Sequence, residues 1–115
     1  MTFEPIHINF DVKDLERSVA FYKEALGFVV KRTRGIRAYV GLEDFAFELE
    51  LCCPEQPPEG PVGKGVHYAF RVDDFEGALK KHEEMGCIYR PFMGAGPYFI
   101  ADPDGYVLEI LPAMR

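Results

Sequence analysis

The chain has 115 residues, 48% of them hydrophobic, and a formal net charge of -6 at pH 7. That length and composition predict one globular domain over residues 1–115, and the negative charge with scattered basic residues argues against nucleic-acid and membrane-surface partners. No apolar run is long enough to span a bilayer and the N-terminus lacks a signal-peptide pattern, so we predict a cytoplasmic protein.

The three cysteines follow neither a disulfide framework nor a zinc-ligand spacing, because Cys52 and Cys53 are adjacent and Cys87 is distant. We expect reduced thiols. Cys52 or Cys53 can face a site because they follow a candidate ligand, but the role of a small buried hydrophobic residue is favoured.

An internal repeat organises the chain. Residues 7–16, HINFDVKDLE, and residues 67–76, HYAFRVDDFE, carry His, Phe, Val, Asp and Glu at equivalent positions. Each copy opens with the alternation of a half-buried strand and then reaches an aspartate suited to a helix N-cap. We therefore predict two copies of one supersecondary unit, with Asp14 and Asp74 as the N-caps.

The first copy, about residues 5–53, is predicted to form a βαβββ unit. An apolar stripe at helical spacing follows the cap, and Gly27 is placed to end the helix. The stripe consists of Leu15, Val19, Tyr22 and Leu26. Three strand-like runs then follow, separated by turn residues. They cover residues 28–33, 36–40 and 45–51.

Residues 54–65 are rich in proline and glycine and predict a linker. The second copy, about residues 65–112, repeats the pattern with a helix that ends at Gly86. Its stripe consists of Phe75, Ala78, Leu79 and Met85. Its strands are predicted at residues 87–90, 98–101 and 106–111, and Asp102 and Asp104 are expected to shape the turn before the last strand.

The repeat also pairs polar residues. His7 and His67 open the two copies, and Glu50 and Glu109 lie between apolar residues near their ends. Strand alternation allows all four to converge on one face of a curved sheet. Two imidazoles and two carboxylates suit one divalent cation, Zn, Ni, Co, Mn or Fe(II), which can act as a Lewis acid. Comparison of the copies selects Glu50 over Glu48, which stays the fallback ligand.

Single residues of these types more often have ordinary roles. A lone strand histidine is usually hydrogen-bonded structure, and a glutamate near a strand end is usually solvated. The metal prediction therefore depends on finding both types at equivalent places in both copies, where burying unpaired carboxylates would be costly. His82 lies on the inner stripe of the second helix and is expected to pack there.

The segments HINFDVKDLERSVAFYKEALGF and YFIADPDGYVLEIL resemble the vicinal oxygen chelate superfamily, and the glyoxalase I branch in particular. The resemblance covers nearly the whole chain. It implies an α+β fold in which two βαβββ repeats form an open eight-stranded cup, known as the glyoxalase/bleomycin resistance/dioxygenase fold. It also implies a metal at His7, Glu50, His67 and Glu109. Small members are commonly homodimers, and in many of them one metal takes ligands from both subunits.

The resemblance further implies a lyase of the lactoylglutathione lyase type. In that chemistry a carboxylate removes a carbon-bound proton from an α-hydroxy carbonyl or hemithioacetal, and the metal stabilises the enediolate. We expect Glu109 to be the base. Glu50 is expected to remain mainly a ligand, although the near symmetry of the repeat also allows it to move a proton on the opposite face of the substrate.

The substrate is less well defined than the metal site. Glutathione-dependent members typically have arginine and asparagine where this chain has Asp11 and Pro54. The residues that usually bind glutathione are therefore missing at these two positions. Other arginines are alternative grips, namely Arg37, Arg71 and Arg90. The alternatives of other classes are an antibiotic-resistance protein, either a metal-dependent thiol transferase or a drug-binding dimer, an acyl-thioester epimerase and, less suited to this length, an Fe(II) ring-cleaving dioxygenase.

Overall fold

The computed structural model describes residues 1–57, 59, 67–90 and 96–113. The chain divides into two compact units, Met1–Glu59 and Gly60–Arg115. Each unit combines a helix with a sheet of mixed strand directions, which confirms the predicted α+β class. No helix among the described residues is long and apolar enough to cross a membrane.

The first unit has the predicted βαβββ order. Its elements are β1 (His7–Asp11), α1 (Leu15–Leu26), β2 (Val29–Arg34), β3 (Arg37–Gly41) and β4 (Glu48–Cys52). The sheet order is β1-β4-β3-β2, with β1 parallel to β4 and the other pairs antiparallel. Strand β4 begins later than predicted, because a turn at residues 43–44 lets the Phe45 N–H donate to the carbonyl of Leu42.

The cap predictions for α1 are confirmed. The Asp14 carboxylate accepts a hydrogen bond from the Arg17 backbone N–H at 3.0 Å, and Gly27 ends the helix with φ of 69°, a backbone conformation that glycine adopts without strain. The predicted stripe is partly wrong. The helix buries Tyr22 together with the small residues Ser18 and Ala25, which allow α1 to approach β3 and β4 closely.

Alternation gives the first sheet two chemically different faces. One face is apolar and lies under α1; its buried residues include Phe10, Ala38, Val40, Leu49 and Leu51. The opposite face carries polar side chains from all four strands, since the register aligns His7 with Glu48, Glu50 with Tyr39, and Tyr39 with Arg32. The hydrophobic core therefore leaves the second face available for chemistry.

The second unit repeats this plan with fewer strands. Its elements are β5 (Tyr68–Val72), α2 (Phe75–Met85), β6 (Tyr98–Ala101) and β7 (Val107–Pro112). The sheet order is β5-β7-β6, with β5 parallel and β6 antiparallel to β7. The strand predicted at residues 87–90 is reduced to a bridge between Ile88 and Ile100, so the described residues contain three strands here rather than four. Part of the predicted linker, residues 58 and 60–65, lies outside the described residues.

Helix α2 also begins and ends as predicted. Asp74 accepts from the Gly77 N–H at 3.0 Å, and Gly86 closes the helix with φ of 72°. Under the helix, the apolar face of the second sheet contributes Tyr98, Ile100, Leu108 and Ile110 to the core. His82 is 2% exposed, and its Nδ1 lies 2.8 Å from the Tyr98 hydroxyl. The predicted packing role of His82 is therefore confirmed.

Candidate metal centre

The first candidate ligand pair lies on the polar face of the first sheet. His7 begins β1 and Glu50 lies within the adjacent parallel strand β4, one diagonal step along the register. The His7 Nε2 is 3.4 Å from Glu50 Oε1, and the two side chains are 38% and 11% exposed. A buried carboxylate thus meets an imidazole that solvent can reach.

The second oxygen of Glu50 is held by the chain itself. The Tyr39 hydroxyl donates to Oε2 at 2.5 Å, and the Arg37 Nε forms an ion pair with the same oxygen at 3.2 Å. The hydrogen bond to Glu50 raises the pKa of Tyr39 above its ordinary value, with burial adding to the effect. Tyr39 therefore stays a neutral donor at physiological pH, and Oε1 remains the oxygen of Glu50 that faces His7.

Glu48, the fallback ligand, has a different partner. It accepts a hydrogen bond from Arg32 Nη2 at 3.0 Å, and the Arg32 guanidinium lies 3.7 Å from the centre of the Tyr39 ring. This stack of arginine over tyrosine holds the Glu48 carboxylate in an ion pair. The contact pattern therefore supports Glu50 over Glu48 as the partner of His7.

The second candidate pair belongs to the second unit. His67 lies directly before β5, and Glu109 is the third residue of β7. Their Nε2 and Oε1 atoms are 3.1 Å apart, with the side chains 44% and 21% exposed. The His67 ring also packs edge-on against Phe99, with ring centres 5.3 Å apart. Among the described residues, His67 is the one side chain that Glu109 pairs with.

Within each pair, the distance between the histidine nitrogen and the glutamate oxygen suits two ligands of the same cation. Metal bonds of about 2.0–2.2 Å to nitrogen and oxygen place neighbouring ligand atoms roughly 3.0–3.5 Å apart. The measured separations are 3.4 Å for His7 with Glu50 and 3.1 Å for His67 with Glu109. In the described part of the chain no three His, Cys, Asp or Glu side chains gather at one point. Each unit therefore brings together two of the four predicted ligands.

Two other predictions concern residues near these pairs. Cys52 ends β4 and is buried, and burial raises the pKa of its thiol, so it is a neutral core residue rather than a thiolate. Cys53 is half-buried, and its thiol donates to the Lys13 carbonyl at 3.5 Å. Asp102 accepts from the backbone N–H groups of Asp104 and Tyr106, both at 2.9 Å, which confirms the turn-shaping role predicted for Asp102.

The sequence did not predict that Tyr39 and Arg37 would contact Glu50. Both residues lie on β3, and only the register between β3 and β4 places them beside the carboxylate. Their alternation along 36–40 was the available signal, because it puts Arg37 and Tyr39 on one face. Of the other proposed arginine grips, Arg71 and Arg90 are exposed, and neither forms an ion pair with a described residue.

Comparison with known protein families defines the class of protein. The chain matches the Glyoxalase/Bleomycin resistance protein/Dioxygenase superfamily over residues 5–110 and belongs to that family. This confirms the superfamily resemblance found in the sequence.

Relatives within the family are named for two activities. The chain is 31% identical over 121 residues to a lactoylglutathione lyase of Haemophilus influenzae, covering 92% of this chain and 90% of that protein. It is 32% identical over 109 residues to the glutathione transferase FosA of Serratia marcescens, covering 90% of this chain and 77% of that protein. A probable chloroplastic lactoylglutathione lyase of Arabidopsis thaliana is 31% identical over 121 residues, 92% of this chain, which spans only 35% of that protein.

Solved structures show the same fold. The trypanothione-dependent glyoxalase I of Leishmania major superposes with a TM-score of 0.82 at 25% identity, over 97% of this chain and 88% of that chain. TnmS3, an antibiotic-binding protein from Streptomyces, gives a TM-score of 0.74 at 22% identity, over 96% of each chain. The fold therefore serves both enzymes and binding proteins, and the choice between them depends on the site residues.

Proposed function

We propose that this chain is a metal-dependent lyase or isomerase of the glyoxalase type, acting on a small α-hydroxy carbonyl or hemithioacetal. One divalent cation, Zn, Ni, Co, Mn or Fe, is held by His7, Glu50, His67 and Glu109. When bound, it supplies a Lewis acid that polarises the substrate carbonyl and lowers the cost of forming negative charge next to it. The spacing within each His–Glu pair supports this assignment.

The main support for the proposal is that the carboxylates of Glu50 and Glu109 have different neighbours. Glu50 interacts with His7, Tyr39 and Arg37, and two of these groups engage a single oxygen. These two groups restrict the position of the carboxylate and leave its other oxygen next to His7. Glu50 is therefore suited to be a fixed ligand.

Glu109 is suited to move the proton. Its one described side-chain partner is His67, and its side chain is more exposed than that of Glu50, 21% against 11%. A carboxylate without donors on both oxygens can accept the carbon-bound proton and return it to the neighbouring carbon. This transfer converts an α-hydroxy carbonyl into its isomer without any change in overall oxidation state.

Proton transfer tests the assignment most directly. Metal-loaded wild-type protein is incubated in D2O with the hemithioacetal of methylglyoxal, and the product is followed by NMR. Compared at metal concentrations that saturate both proteins, Glu109→Gln should lower kcat by at least about a hundredfold, the usual contribution of a general base. Wild-type turnover that survives in Glu109→Gln would overturn the assignment of the base.

A thiol transferase is the second candidate, favoured by the similarity to FosA over 90% of this chain. Such an enzyme joins a thiol to an electrophilic substrate such as an epoxide and does not need a carbon acid base. Wild type and Glu109→Gln loaded with the same metal would therefore separate the two functions. Thiol addition to an epoxide, without isomerisation of the hemithioacetal, would establish the transferase instead.

A further inference from the structure

An irregularity in the first sheet determines which side chain lies next to Tyr39. Val30 on β2 pairs with Val40 on β3. A regular ladder would next place Lys31 opposite Tyr39, but the register shifts and Arg32 takes that position. A bulge of this kind adds one residue to a strand and redirects the side chains that follow it. The shift therefore places an arginine, rather than a lysine, beside the tyrosine that contacts Glu50.

Arg32 covers the ring of Tyr39. Its guanidinium carbon lies 3.7 Å from the centre of the ring, and its Nη2 donates to Oε1 of Glu48 at 3.0 Å. A planar guanidinium can make both contacts at once, because its face stacks on an aromatic ring while its edge binds a carboxylate. The Arg32 side chain is 50% exposed, so these two contacts are what restrict its position.

The restriction extends from Tyr39 to Glu50. Tyr39 is 4% exposed, and its hydroxyl donates to Glu50 Oε2 at 2.5 Å. The hydroxyl moves only with its ring, so a stack that fixes the ring also fixes the donor. Arg37 contacts the same carboxylate oxygen, which leaves Oε1, next to His7, as the oxygen that a cation can bind.

We propose that Arg32 is a positioning residue for the candidate metal centre and acts through Tyr39. The cation part of this inference rests on the function proposed above. The stacked Arg32 keeps the Tyr39 hydroxyl on Oε2, so that Glu50 binds a cation through Oε1 alone. Groups that orient a metal ligand commonly change metal affinity by about 10- to 100-fold when they are removed. Arg32 needs no contact with the cation to have this effect.

A double-mutant cycle tests whether Arg32 acts through Tyr39. Wild type, Arg32→Lys, Tyr39→Phe and the double variant are stripped of metal and titrated with Co(II). Tyr39→Phe keeps the ring and should weaken Co(II) binding by about tenfold. Arg32→Lys keeps the charge but loses the planar stack, and should weaken binding by about threefold, within the usual range of coupling between residues in contact. The double variant should bind Co(II) as Tyr39→Phe does, because the hydroxyl that Arg32 positions is already absent.

The visible spectrum of bound Co(II) gives a second readout, since it depends on the number and geometry of the ligands. The spectrum should change in both single variants. Tyr22→Phe is the matched control, because it removes the hydroxyl of a buried tyrosine on α1 and should leave affinity and spectrum as in wild type. Additive losses in the double variant, or an unchanged affinity and spectrum in Arg32→Lys, would overturn the positioning role and leave the metal site standing.

A measurement without metal separates this inference from the proposed function. The Hγ signals of Glu50 are followed by NMR in the metal-free, full-length wild type, Arg32→Lys and Tyr39→Phe proteins. Two separate signals in wild type that merge in both variants would support the positioning role. If that same wild-type protein binds no Co(II), the proposed function is rejected while the positioning of Glu50 stands. Merged signals in wild type would overturn the positioning role.

Discussion

At the residue scale, the surroundings of each carboxylate decide what it can do. Glu48 forms an ion pair with Arg32. One oxygen of Glu50 is bound by Arg37 and Tyr39. Among the described side chains, Glu109 contacts only His67. The three glutamate side chains are chemically identical on their own, but their different neighbours in the structure suit them to different roles.

The choice between Glu50 and Glu48 leads to a matched pair of variants. Glu50→Gln should weaken metal binding by at least about tenfold, because losses at and around metal ligands commonly have this size. Glu48→Gln should change the metal dissociation constant much less, since its carboxylate is engaged by Arg32. Competition with a chromophoric chelator measures both constants. A larger loss in Glu48→Gln would make Glu48 the ligand.

At the scale of helices and strands, the sequence predicted the elements that helix caps and strand alternation mark. The repeated Asp caps and terminal glycines located both helices, and alternation located the strands to within a few residues. The contacts of Tyr39 could not be predicted, because they depend on the β3–β4 register across a loop of 42–47. The strand predicted at 87–90 was wrong for a related reason. A run of four residues has too little alternation to specify which strand it pairs with.

The cap of α1 provides a test at this scale. Asp14→Ala removes the acceptor of the Arg17 N–H and should lower the free energy of unfolding by about 1 kcal/mol. Asp14→Asn keeps an acceptor and should lose much less. Urea unfolding of the two variants at neutral pH gives the comparison, and equal losses would show that the side-chain charge matters more than the cap.

The packing of α2 on its sheet predicts a dependence on pH. Burial raises the pKa of Tyr98 well above its ordinary value, so the folded state favours the neutral phenol. Its contribution to stability is complete below the unfolded pKa of about 10 and is lost as the pH rises above it. Tyr98→Phe should be less stable at neutral pH by about 1–3 kcal/mol because His82 Nδ1 loses its partner.

Urea midpoints between pH 8 and pH 11 test this assignment. Wild type should lose stability more steeply than Tyr98→Phe above about pH 10. Parallel curves for the two proteins would mean that another group causes the alkaline loss.

At the scale of the whole molecule, the internal repeat gives two His–Glu pairs of equal composition and unequal environment. Each unit supplies one His–Glu pair. We propose that the chain forms a homodimer in which a cation takes one pair from each subunit, as the family resemblance implies. The repeat would then generate two equivalent metal sites per dimer.

Mixed dimers test this arrangement. In a heterodimer of His7→Ala and His67→Ala chains, one site lacks both histidines and the other retains all four ligands. Co-expression with two different purification tags should therefore give about one metal ion per heterodimer, whereas each variant alone binds weakly. If every cation took its ligands from a single chain, the heterodimer would bind no better than the separate variants.

Metal content tests whether the two His–Glu pairs together hold one divalent cation. Tag-free wild type, His67→Ala and Glu109→Ala are each stripped, reloaded with Ni, Co, Zn or Mn, and analysed by mass spectrometry, with circular dichroism confirming that they are folded. We expect near-stoichiometric metal in wild type and its loss in both variants. A folded wild-type protein that takes up none of these metals would contradict the lyase assignment and favour a metal-free, metabolite-binding protein.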